Sequence, residues 1–301
     1  MKRNKTMIIV FLTPALVLFC AIFVYPILRT IVMSLFKVEN ITSGIAQWQY
    51  VGFQNYKSLA TTSLFKTSLL NLLRIWAIGG MVVMSLGLLF AVILNSGIRF
   101  KNFFRAVIYM PNIISAVALA TMWIQFVYNP RFGLLTSTFK LLGMDSLAAI
   151  NWTDTTHKFW ALLFAYCFGM VGYHMLIFSS GIEKIPQELF EASTIDGASK
   201  VQQFRLITFP LLRSVLKTNI TMWSITSVAF FVWSQLFSMV TADTQTITPM
   251  VYMYLQVFGA GNVISERNAG LGAAVGVFLG LCVVIVFVLT NRLIKNEDLE
   301  F

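Results

Sequence analysis

The side chains best suited to binding chemistry are aromatic and hydroxyl groups that stand inside long apolar segments. Thr226, Phe230 and Trp233 follow one another at spacings of four and three residues, which places them on one face of a helix. Tyr166 and Tyr173 stand seven residues apart in an earlier segment. Aromatic rings stack on the C–H faces of sugars and hydroxyl groups bond to their rims, so this face suits a carbohydrate site. The alternative interpretation is that the rings only pack helices or face lipid.

Groups for covalent or acid–base chemistry are sparse in this sequence. No histidine, cysteine or carboxylate cluster stands at catalytic or metal-ligating spacing, so we expect neither a catalytic site nor a metal site. No Gly-x-x-x-x-Gly-Lys-Ser/Thr phosphate loop occurs, so we expect the chain to bind no cofactor and to hydrolyse no ATP. His174 is the titratable residue of interest within an apolar segment. A lone histidine there commonly packs through hydrogen bonds, and the alternative is a contribution to a solute path.

The most polar stretch, residues 183–212, predicts two short helices joined at a corner. Pro186 suits the first turn of the first helix, because a proline lacks the N–H that would be unpaired there. Asp196-Gly197 is a turn signal in which glycine adopts a positive φ at no steric cost. Residues 198–207 predict the second helix, and Pro210 permits a fresh helix start. The competing interpretation is an ordinary polar loop between two membrane helices.

The composition identifies the elements that carry these residues as membrane helices. Of the 301 residues, 57% are hydrophobic and 11% are charged, whereas a soluble domain has about 25% charged residues. A helix crosses the bilayer core with about 20 apolar residues. The sequence therefore predicts an all-α membrane protein, with residues 1–301 in a single transmembrane domain. The six predicted transmembrane helices cover residues 7–28, 69–95, 107–128, 159–182, 219–240 and 270–291.

Prolines modify two of these predicted spans. In the first span, Tyr25-Pro26 is expected to kink the helix or to end its far half. In the third span, Pro111 and Asn112 are expected to interrupt the helix early, which a membrane tolerates only where neighbouring helices or water satisfy the freed backbone. The first span is longer than the core of a signal peptide and no small-x-small cleavage site follows it, so we interpret it as a retained helix.

Basic residues predict the orientation of the spans. The net charge is +10, and its distribution indicates membrane topology rather than binding of nucleic acid. With six spans, both termini and the polar stretch 183–212 lie in the cytoplasm. Of the 22 lysines and arginines, 13 then lie in the inner segments, namely Lys2, Arg3, Lys5, Arg99, Lys101, Arg105, Lys184, Lys200, Arg205, Arg213, Lys217, Arg292 and Lys295.

Two motifs resemble those of a known family. Glu191-Ala192-Ser193, Gly197 and Ile207-Thr208-Phe209-Pro210 closely resemble the EAA loop of importer permeases of the ATP-binding cassette superfamily. Ser193 replaces the second alanine, and Phe209 replaces the usual leucine before the proline. Residues 129–135, Asn-Pro-Arg-Phe-Gly-Leu-Leu, resemble a signature after the third span of the sugar-type permeases. A Thr-x-Gly-Gly-Pro segment of the family is Thr-Ala-Asp-Thr-Gln over residues 241–245, so we carry no geometry over to that loop.

The resemblance implies the type I importer permease fold, in which residues 183–212 form a cytoplasmic two-helix coupling loop. It implies a multi-pass protein of the bacterial cytoplasmic membrane that forms the translocation path for a sugar or oligosaccharide and is not itself an enzyme. The implied partners are a second, related permease in a heterodimer, two ATPase subunits that bind ATP and magnesium, and an extracytoplasmic sugar-binding protein. The residues implied to couple to the ATPase are Phe190, Glu191, Ala192, Ser193, Asp196, Gly197, Ala198, Phe204, Ile207 and Pro210.

The resemblance also implies a substrate pocket drawn from the fourth and fifth spans. Its residues correspond to Tyr173, Thr226, Phe230 and Trp233, to which we add His174. An importer of the same superfamily with a non-sugar solute is the first alternative, and the signature in residues 129–135 weighs against it. The second alternative is a channel or an ion-coupled carrier, which the spans disfavour because they lack a series of buried acidic or histidine residues. A membrane enzyme is the least favoured class.

Overall fold

The structure is a computed structural model of the chain. It describes residues 5–238, 241–259 and 267–294. Three of the basic residues used for the orientation, Lys2, Arg3 and Lys295, lie outside the described residues. The described chain divides into two compact units. The first unit holds the residues up to Lys66 and Tyr252–Leu281, and the second holds Thr67–Val251 and the residues from Cys282 onward.

Helices form nearly all regular structure in the described ranges. In chain order, the α-helices are α1 (Lys5–Phe19), α2 (Tyr25–Met33), α3 (Gln54–Thr61), α4 (Ser63–Arg74), α5 (Gly80–Asn95), α6 (Lys101–Ile113), α7 (Ala116–Met122), α8 (Leu134–Leu141), α9 (Asp145–Ala148), α10 (Lys158–Ile182), α11 (Gln187–Ile195), α12 (Lys200–Gln203), α13 (Phe209–Leu211), α14 (Arg213–Val228), α15 (Val232–Phe237), α16 (Pro249–Phe258) and α17 (Ala269–Leu293). Short π-helical turns cover Cys20–Val24, Ile75–Gly79, Trp123–Val127 and Phe204–Thr208. A 3₁₀ turn covers Ile45–Gln47, and strands β1 (Phe36–Lys37) and β2 (Gln49–Tyr50) pair antiparallel.

Four helical stretches are long and apolar enough to cross a membrane. Among the described residues they are Val10–Met33, Ser63–Asn95, Lys158–Ile182 and Ala269–Leu293. Lys101–Ile113 and Ala116–Val127 meet at 98° and add a fifth crossing if they form one broken span. A helix satisfies its backbone groups within itself, as the hydrocarbon of a bilayer requires. The chain is therefore a multi-pass membrane protein, and the number of six spans stays a prediction.

The first membrane helix runs further than the sequence predicts. The prediction ends at residue 28, whereas α2 continues to Met33. Pro26 does not end the helix, because it lies in the first turn of α2 directly after the π turn Cys20–Val24. The wider bonding of a π turn accommodates a residue without an N–H. The same arrangement recurs where the π turn Phe204–Thr208 precedes Pro210.

The break in the third predicted span lies later than the sequence predicts. Helix α6 begins at Lys101 and includes Pro111, and the break falls at Ile114-Ser115. Ser115 begins α7 because its Oγ accepts a hydrogen bond from the backbone N of Ala118 at 3.3 Å. An N-cap residue, rather than the proline, therefore sets the position of the break.

The segment predicted as one helix over residues 219–240 contains two helices in the structure. Helix α14 ends at Val228 and α15 begins at Val232, while residues 239 and 240 lie outside the described ranges. Between the two helices, the carbonyl of Phe230 accepts a hydrogen bond from Thr248 Oγ1 at 2.6 Å. This tertiary bond satisfies a carbonyl that a continuous helix would pair internally. No glycine or proline in the segment signals the break.

Helix α10 is the central helix of the second unit. Gly172 lies so close to α6 that a Cβ there would stand 2.3 Å from the carbonyl oxygen of Ile108. In the same unit, Trp223 Nε1 donates to the carbonyl of Trp76 at 2.8 Å, and Trp76 Nε1 donates to Ser224 Oγ at 2.9 Å. Small residues that allow close approach, together with interhelical hydrogen bonds, are what hold helices together in a membrane.

Asn55 organises the first unit around the strand pair. Its Nδ2 donates to the carbonyls of Ser34 at 2.8 Å and Phe36 at 2.9 Å. Asn268, directly before α17, donates through its own Nδ2 to Asn55 Oδ1 at 3.3 Å. The side chain of Asn55 therefore links the end of the first membrane helix, the strand pair and the start of α17.

Candidate functional site

The polar segment 183–212 folds as two helical pieces around a glycine corner. Helix α11 ends at Ile195, and Gly197 follows with a φ of 78°. The sequence predicts that the second helix starts at residue 198, but α12 starts at Lys200. Ser199 sets this start through a capping box: its Oγ accepts from the backbone N of Gln202 at 3.3 Å, and Gln202 Oε1 accepts from the backbone N of Ser199 at 2.7 Å.

The second helical piece is longer than the sequence predicts. Helix α12 passes into the π turn Phe204–Thr208 and then into α13, which contains Pro210. The prediction ends this helix at residue 207. The π turn lets the chain continue as helix into the proline, so the segment reaches α14 without an extended link.

The residues predicted to couple to an ATPase divide by exposure. Glu191, Ala192, Asp196 and Gly197 are exposed. The half-buried members of the predicted set are Phe190, Ser193, Ala198, Phe204, Ile207 and Pro210. The predicted coupling set omits three of the most exposed apolar side chains of this segment: Ile195 is 87% exposed, Val201 75% and Leu206 71%. Large apolar residues in the most polar stretch of the chain are the signal that could have identified them.

Gln203 is a second residue that sequence reasoning missed. It is buried, and its side chain forms hydrogen bonds with α11 across the corner. No local pattern identifies it, because Gln202 and Gln203 are neighbours of the same residue type with different roles.

Two basic residues of α6 meet the start of this segment. Arg105 Nη2 lies 2.5 Å from Glu183 Oε1, and Lys101 Nζ lies 3.5 Å from the same oxygen. The hydrogen bond from Arg105 lowers the pKa of the Glu183 carboxyl below its usual value, and the two positive charges act in the same direction. The carboxylate therefore stays charged at neutral pH and ties the end of α10 to the start of α6.

The aromatic face predicted on the fifth segment lies around Tyr166. The ring centroid of Tyr166 is 4.7 Å from that of Phe230, 5.7 Å from Trp233 and 5.5 Å from Trp223. Thr226 Oγ1 donates to the carbonyls of Met222 and Trp223, each at 3.0 Å. Phe230 and Trp233 are buried, so in this conformation these two predicted substrate residues are part of the hydrophobic core of the second unit.

Tyr173 and His174 extend this aromatic cluster along α10. The ring of His174 lies 5.1 Å from that of Tyr173 and 5.7 Å from that of Trp223. His174 Nδ1 lies 2.7 Å from Asn219 Oδ1. His174 Nε2 is buried and has no hydrogen-bond partner among the described residues. The histidine thus has the packing bond that the sequence favours, together with one polar atom that the fold leaves unused.

The loop over residues 241–248 is held by a buried ion pair. Lys158 Nζ, at the start of α10, lies 2.6 Å from Asp243 Oδ2. Asn71 Nδ2 donates to the carbonyls of Thr244 and Ile247, both at 3.0 Å. The Thr-x-Gly-Gly-Pro segment of the resembled family does not predict this ion pair, because Asp243 stands where that segment has its first glycine.

Within the described ranges, the structure holds no group of three or more His, Cys, Asp or Glu residues that could bind a metal ion. The geometry brings together an exposed helix pair, an aromatic cluster within the spans and a loop held by a buried ion pair.

Comparisons with known proteins agree with this picture. Residues 83–296 match the family described as binding-protein-dependent transport system inner membrane component. A probable ABC transporter permease protein of Pyrococcus horikoshii is 32% identical over 95% of this chain and 95% of its own length. The arabinooligosaccharides transport system permease protein of Bacillus subtilis is 27% identical over 94% of this chain and 87% of its own length.

A solved structure shares the fold. The crystal structure of a bacterial ABC transporter involved in the import of the acidic polysaccharide alginate contains a chain that superposes with a TM-score of 0.80 at 16% identity, over 98% of this chain and 97% of that chain. The family match covers well over half of the sequence. The chain therefore belongs to the family of binding-protein-dependent transport system inner membrane components.

Proposed function

We propose that this chain is the permease subunit of an ATP-driven importer and forms the translocation path for a sugar or oligosaccharide. The family match is the observation that carries the transport role. The sugar class is supported by the Bacillus subtilis relative, which is named for arabinooligosaccharides, and by the fold shared with an alginate importer. The chain itself binds no nucleotide, and ATP with magnesium is bound by partner ATPase subunits.

Residues 183–212 form the proposed coupling surface for an ATPase subunit. Glu191 and Asp196 are exposed and suit charge-assisted hydrogen bonds. Ile195, Val201 and Leu206 supply the apolar contact area that a docking surface needs. With the helix pair seated in a groove of the ATPase, closure of the ATPases around nucleotide moves the attached spans as rigid bodies.

The proposed assembly places two permeases around one path in the bacterial cytoplasmic membrane. A second, related permease pairs with this chain, and an extracytoplasmic sugar-binding protein delivers the solute to the external loops. The family description supports a binding protein as partner. Both termini and the coupling surface lie in the cytoplasm, since Arg99, Lys101 and Arg105 mark their side of the membrane as the basic one.

The proposed solute contacts are Tyr173, His174, Thr226, Phe230 and Trp233. These side chains combine aromatic faces with hydroxyl and imidazole groups within apolar segments of the chain. The rings are packed in the described conformation, so the path opens when α14 and α15 move away from α10. The break between α14 and α15 gives these two helices separate axes, which such a movement requires.

Trp233→Ala is expected to change which sugars are transported, because it removes the largest aromatic ring among the proposed solute contacts. Transport into vesicles, measured for a panel of mono- and oligosaccharides, tests this assignment. Trp160→Ala, which removes an exposed ring of α10, is the matched control and is expected to preserve the order of preference. An unaltered order in Trp233→Ala contradicts the assignment and favours a packing role.

Ile195→Asp is expected to reduce the amount of ATPase that co-purifies with the chain by about tenfold, since it places a charge in the apolar part of the coupling surface. The full chain is expressed with its genomic neighbours, tagged and purified from native membrane. Leu141→Asp is the matched control, because Leu141 is 88% exposed at the end of α8, far along the chain from the coupling surface.

ATP hydrolysis of the same preparation, with binding protein and each sugar, tests the proposed function as a whole. Hydrolysis that one class of sugar stimulates supports the importer and identifies the solute. A stable ATPase complex whose ATP hydrolysis no sugar stimulates would indicate an importer of a solute that is not a sugar. Absence of ATPase from the wild-type preparation contradicts the coupling role and returns the chain to the carrier or channel class.

A further inference from the structure

Gln203 joins the two helical pieces of the coupling surface. Gln203 is only 4% exposed, whereas most of the residues around the corner are exposed. Its Nε2 donates to Ser193 Oγ at 3.0 Å and to Thr194 Oγ1 at 2.9 Å, and the carbonyl of Phe190 lies 3.3 Å away. One amide at the end of α12 therefore contacts three acceptors on α11.

The hydrogen bonds around Gln203 define one orientation of its amide. Lys200 Nζ donates to Gln203 Oε1 at 3.1 Å, and an ammonium group can only donate, so Nε2 is the atom that faces α11. Ser193 Oγ and Thr194 Oγ1 each donate to the carbonyl of Phe190, at 2.8 and 2.7 Å. Both hydroxyls can accept from the amide while they donate to the carbonyl. Every donor in this network thus has an acceptor.

The network depends on a residue that departs from the resembled motif. Ser193 stands where the EAA motif has its second alanine, and an alanine would remove one acceptor of the Gln203 amide. The corner between α11 and α12 has its own backbone hydrogen bonds, from Gly197 N to the carbonyl of Thr194 at 3.1 Å and from Ala198 N to the carbonyl of Ser193 at 2.9 Å. These bonds close the end of α11, and Gln203 adds hydrogen bonds from a side chain of α12.

We propose that Gln203 is a positioning residue for coupling, which holds α11 and α12 at a fixed angle so that their exposed apolar side chains meet one groove of the ATPase together. This role rests on the proposed coupling function of residues 183–212. Gln203 is buried and does not itself touch the partner. Its contribution is preorganisation, because a helix pair that already has its bound geometry loses less freedom when it docks.

Gln203→Glu tests the proposal with almost no change in side-chain size. A carboxylate has no donor, so the hydroxyls of Ser193 and Thr194 can bond to it only if they give up their bonds to the carbonyl of Phe190. Gln202→Glu is the matched control, since it adds the same charge at the next position. A glutamate at position 202 still accepts from the backbone N of Ser199 and preserves the capping box.

Two measurements are made on the full chain in its purified complex. Spin labels at the exposed positions Glu188 and Arg205, after replacement of the three native cysteines by alanine, report the distance across the corner. We expect Gln203→Glu to broaden this distance distribution and to lower sugar-stimulated ATP hydrolysis per bound ATPase about fivefold. Gln202→Glu is expected to match the wild type in both measurements.

The two measurements separate the possible failures. An unchanged distance distribution in Gln203→Glu overturns the proposal that Gln203 holds α11 and α12 at a fixed angle. A broadened distribution with unchanged stimulated hydrolysis overturns the positioning role. If the wild-type chain binds no ATPase, the proposed function fails, and the distance distribution alone then decides whether Gln203 holds the angle.

Discussion

Asp243→Ala is expected to lower the free energy of unfolding of the second unit by about 3–5 kcal/mol. The side chains of Lys158 and Asp243 are only 2% and 6% exposed. The variant removes the carboxylate and leaves a buried ammonium group for which the described residues offer no other hydrogen-bond partner. It also frees the backbone N–H of Gln245, which donates to Asp243 Oδ1 at 3.1 Å in the wild type. Thermal unfolding of the purified chain in detergent measures the loss.

Two further variants show whether the loss comes from an unpaired charge. Lys158→Met is expected to cost less than Asp243→Ala, because the carboxylate keeps its bond to the backbone N of Gln245. The double variant Lys158→Met/Asp243→Leu also frees the backbone N–H of Gln245, but it is expected to be more stable than Asp243→Ala, since apolar side chains often replace a buried ion pair without loss. A double variant as unstable as Asp243→Ala would contradict this explanation.

Gly172→Leu is expected to separate α6 from α10 and to cost about 3 kcal/mol. A Cβ at this position would stand 2.3 Å from the carbonyl oxygen of Ile108 and 2.6 Å from the Cα of Tyr109. These are backbone atoms, so α6 has to move as a whole. The movement would also break the contact between Arg105 and Glu183. Unfolding in detergent measures the cost, and spin labels at Asn102 and Lys184 measure the separation.

Gly280→Leu in α17 is the matched control for this substitution. A Cβ at Gly280 meets no atom within 4 Å, and leucine favours a helix more than glycine does. We therefore expect this variant to be as stable as the wild type or more stable. Equal losses of unfolding free energy at Gly172 and Gly280 would show that leucine is tolerated poorly at any glycine of the membrane helices. The close approach of α6 to α10 would then not explain the loss at Gly172.

Apolar length predicts the interior of a membrane helix well, but it predicts the ends and breaks poorly. The prediction over residues 159–182 matches Lys158–Ile182, and that over residues 270–291 lies inside Ala269–Leu293. The break before Val232 was not predicted, because its cause is a hydrogen bond from Thr248, which comes later in the chain. Composition within the segment holds no information about such a partner.

The corner of the coupling surface illustrates the same division between local and distant causes. The Asp-Gly pair is a local turn signal, and Gly197 has the positive φ that it predicts. The start of α12 was also readable, because Ser199 followed three residues later by Gln202 is a capping-box pattern. The burial of Gln203 was not readable, since it depends on how α12 packs against α11, and no local pattern specifies that packing.

The aromatic cluster shows what residue spacing can and cannot decide. The spacing of Thr226, Phe230 and Trp233 predicts one face of a continuous helix, but the break between α14 and α15 places Phe230 outside both helices. Phe230 and Trp233 nevertheless both pack against Tyr166. The spacing of these residues is the same for a packed core and for a solute path. The burial of a face depends on the segments that pack against it, and those segments are distant in the sequence.

The pairing of Lys158 with Asp243 also sets an order of events during synthesis. Helix α10 leaves the ribosome well before Asp243, because 85 residues separate the two partners. Until the loop over residues 241–248 is made, the Lys158 ammonium has to remain hydrated, since an unpaired charge is costly to bury. The start of α10 therefore reaches its final depth late, after α14 and α15 have been translated. In a nascent chain that stops before residue 243, Lys158 stays hydrated, whereas in the finished protein it is buried against Asp243.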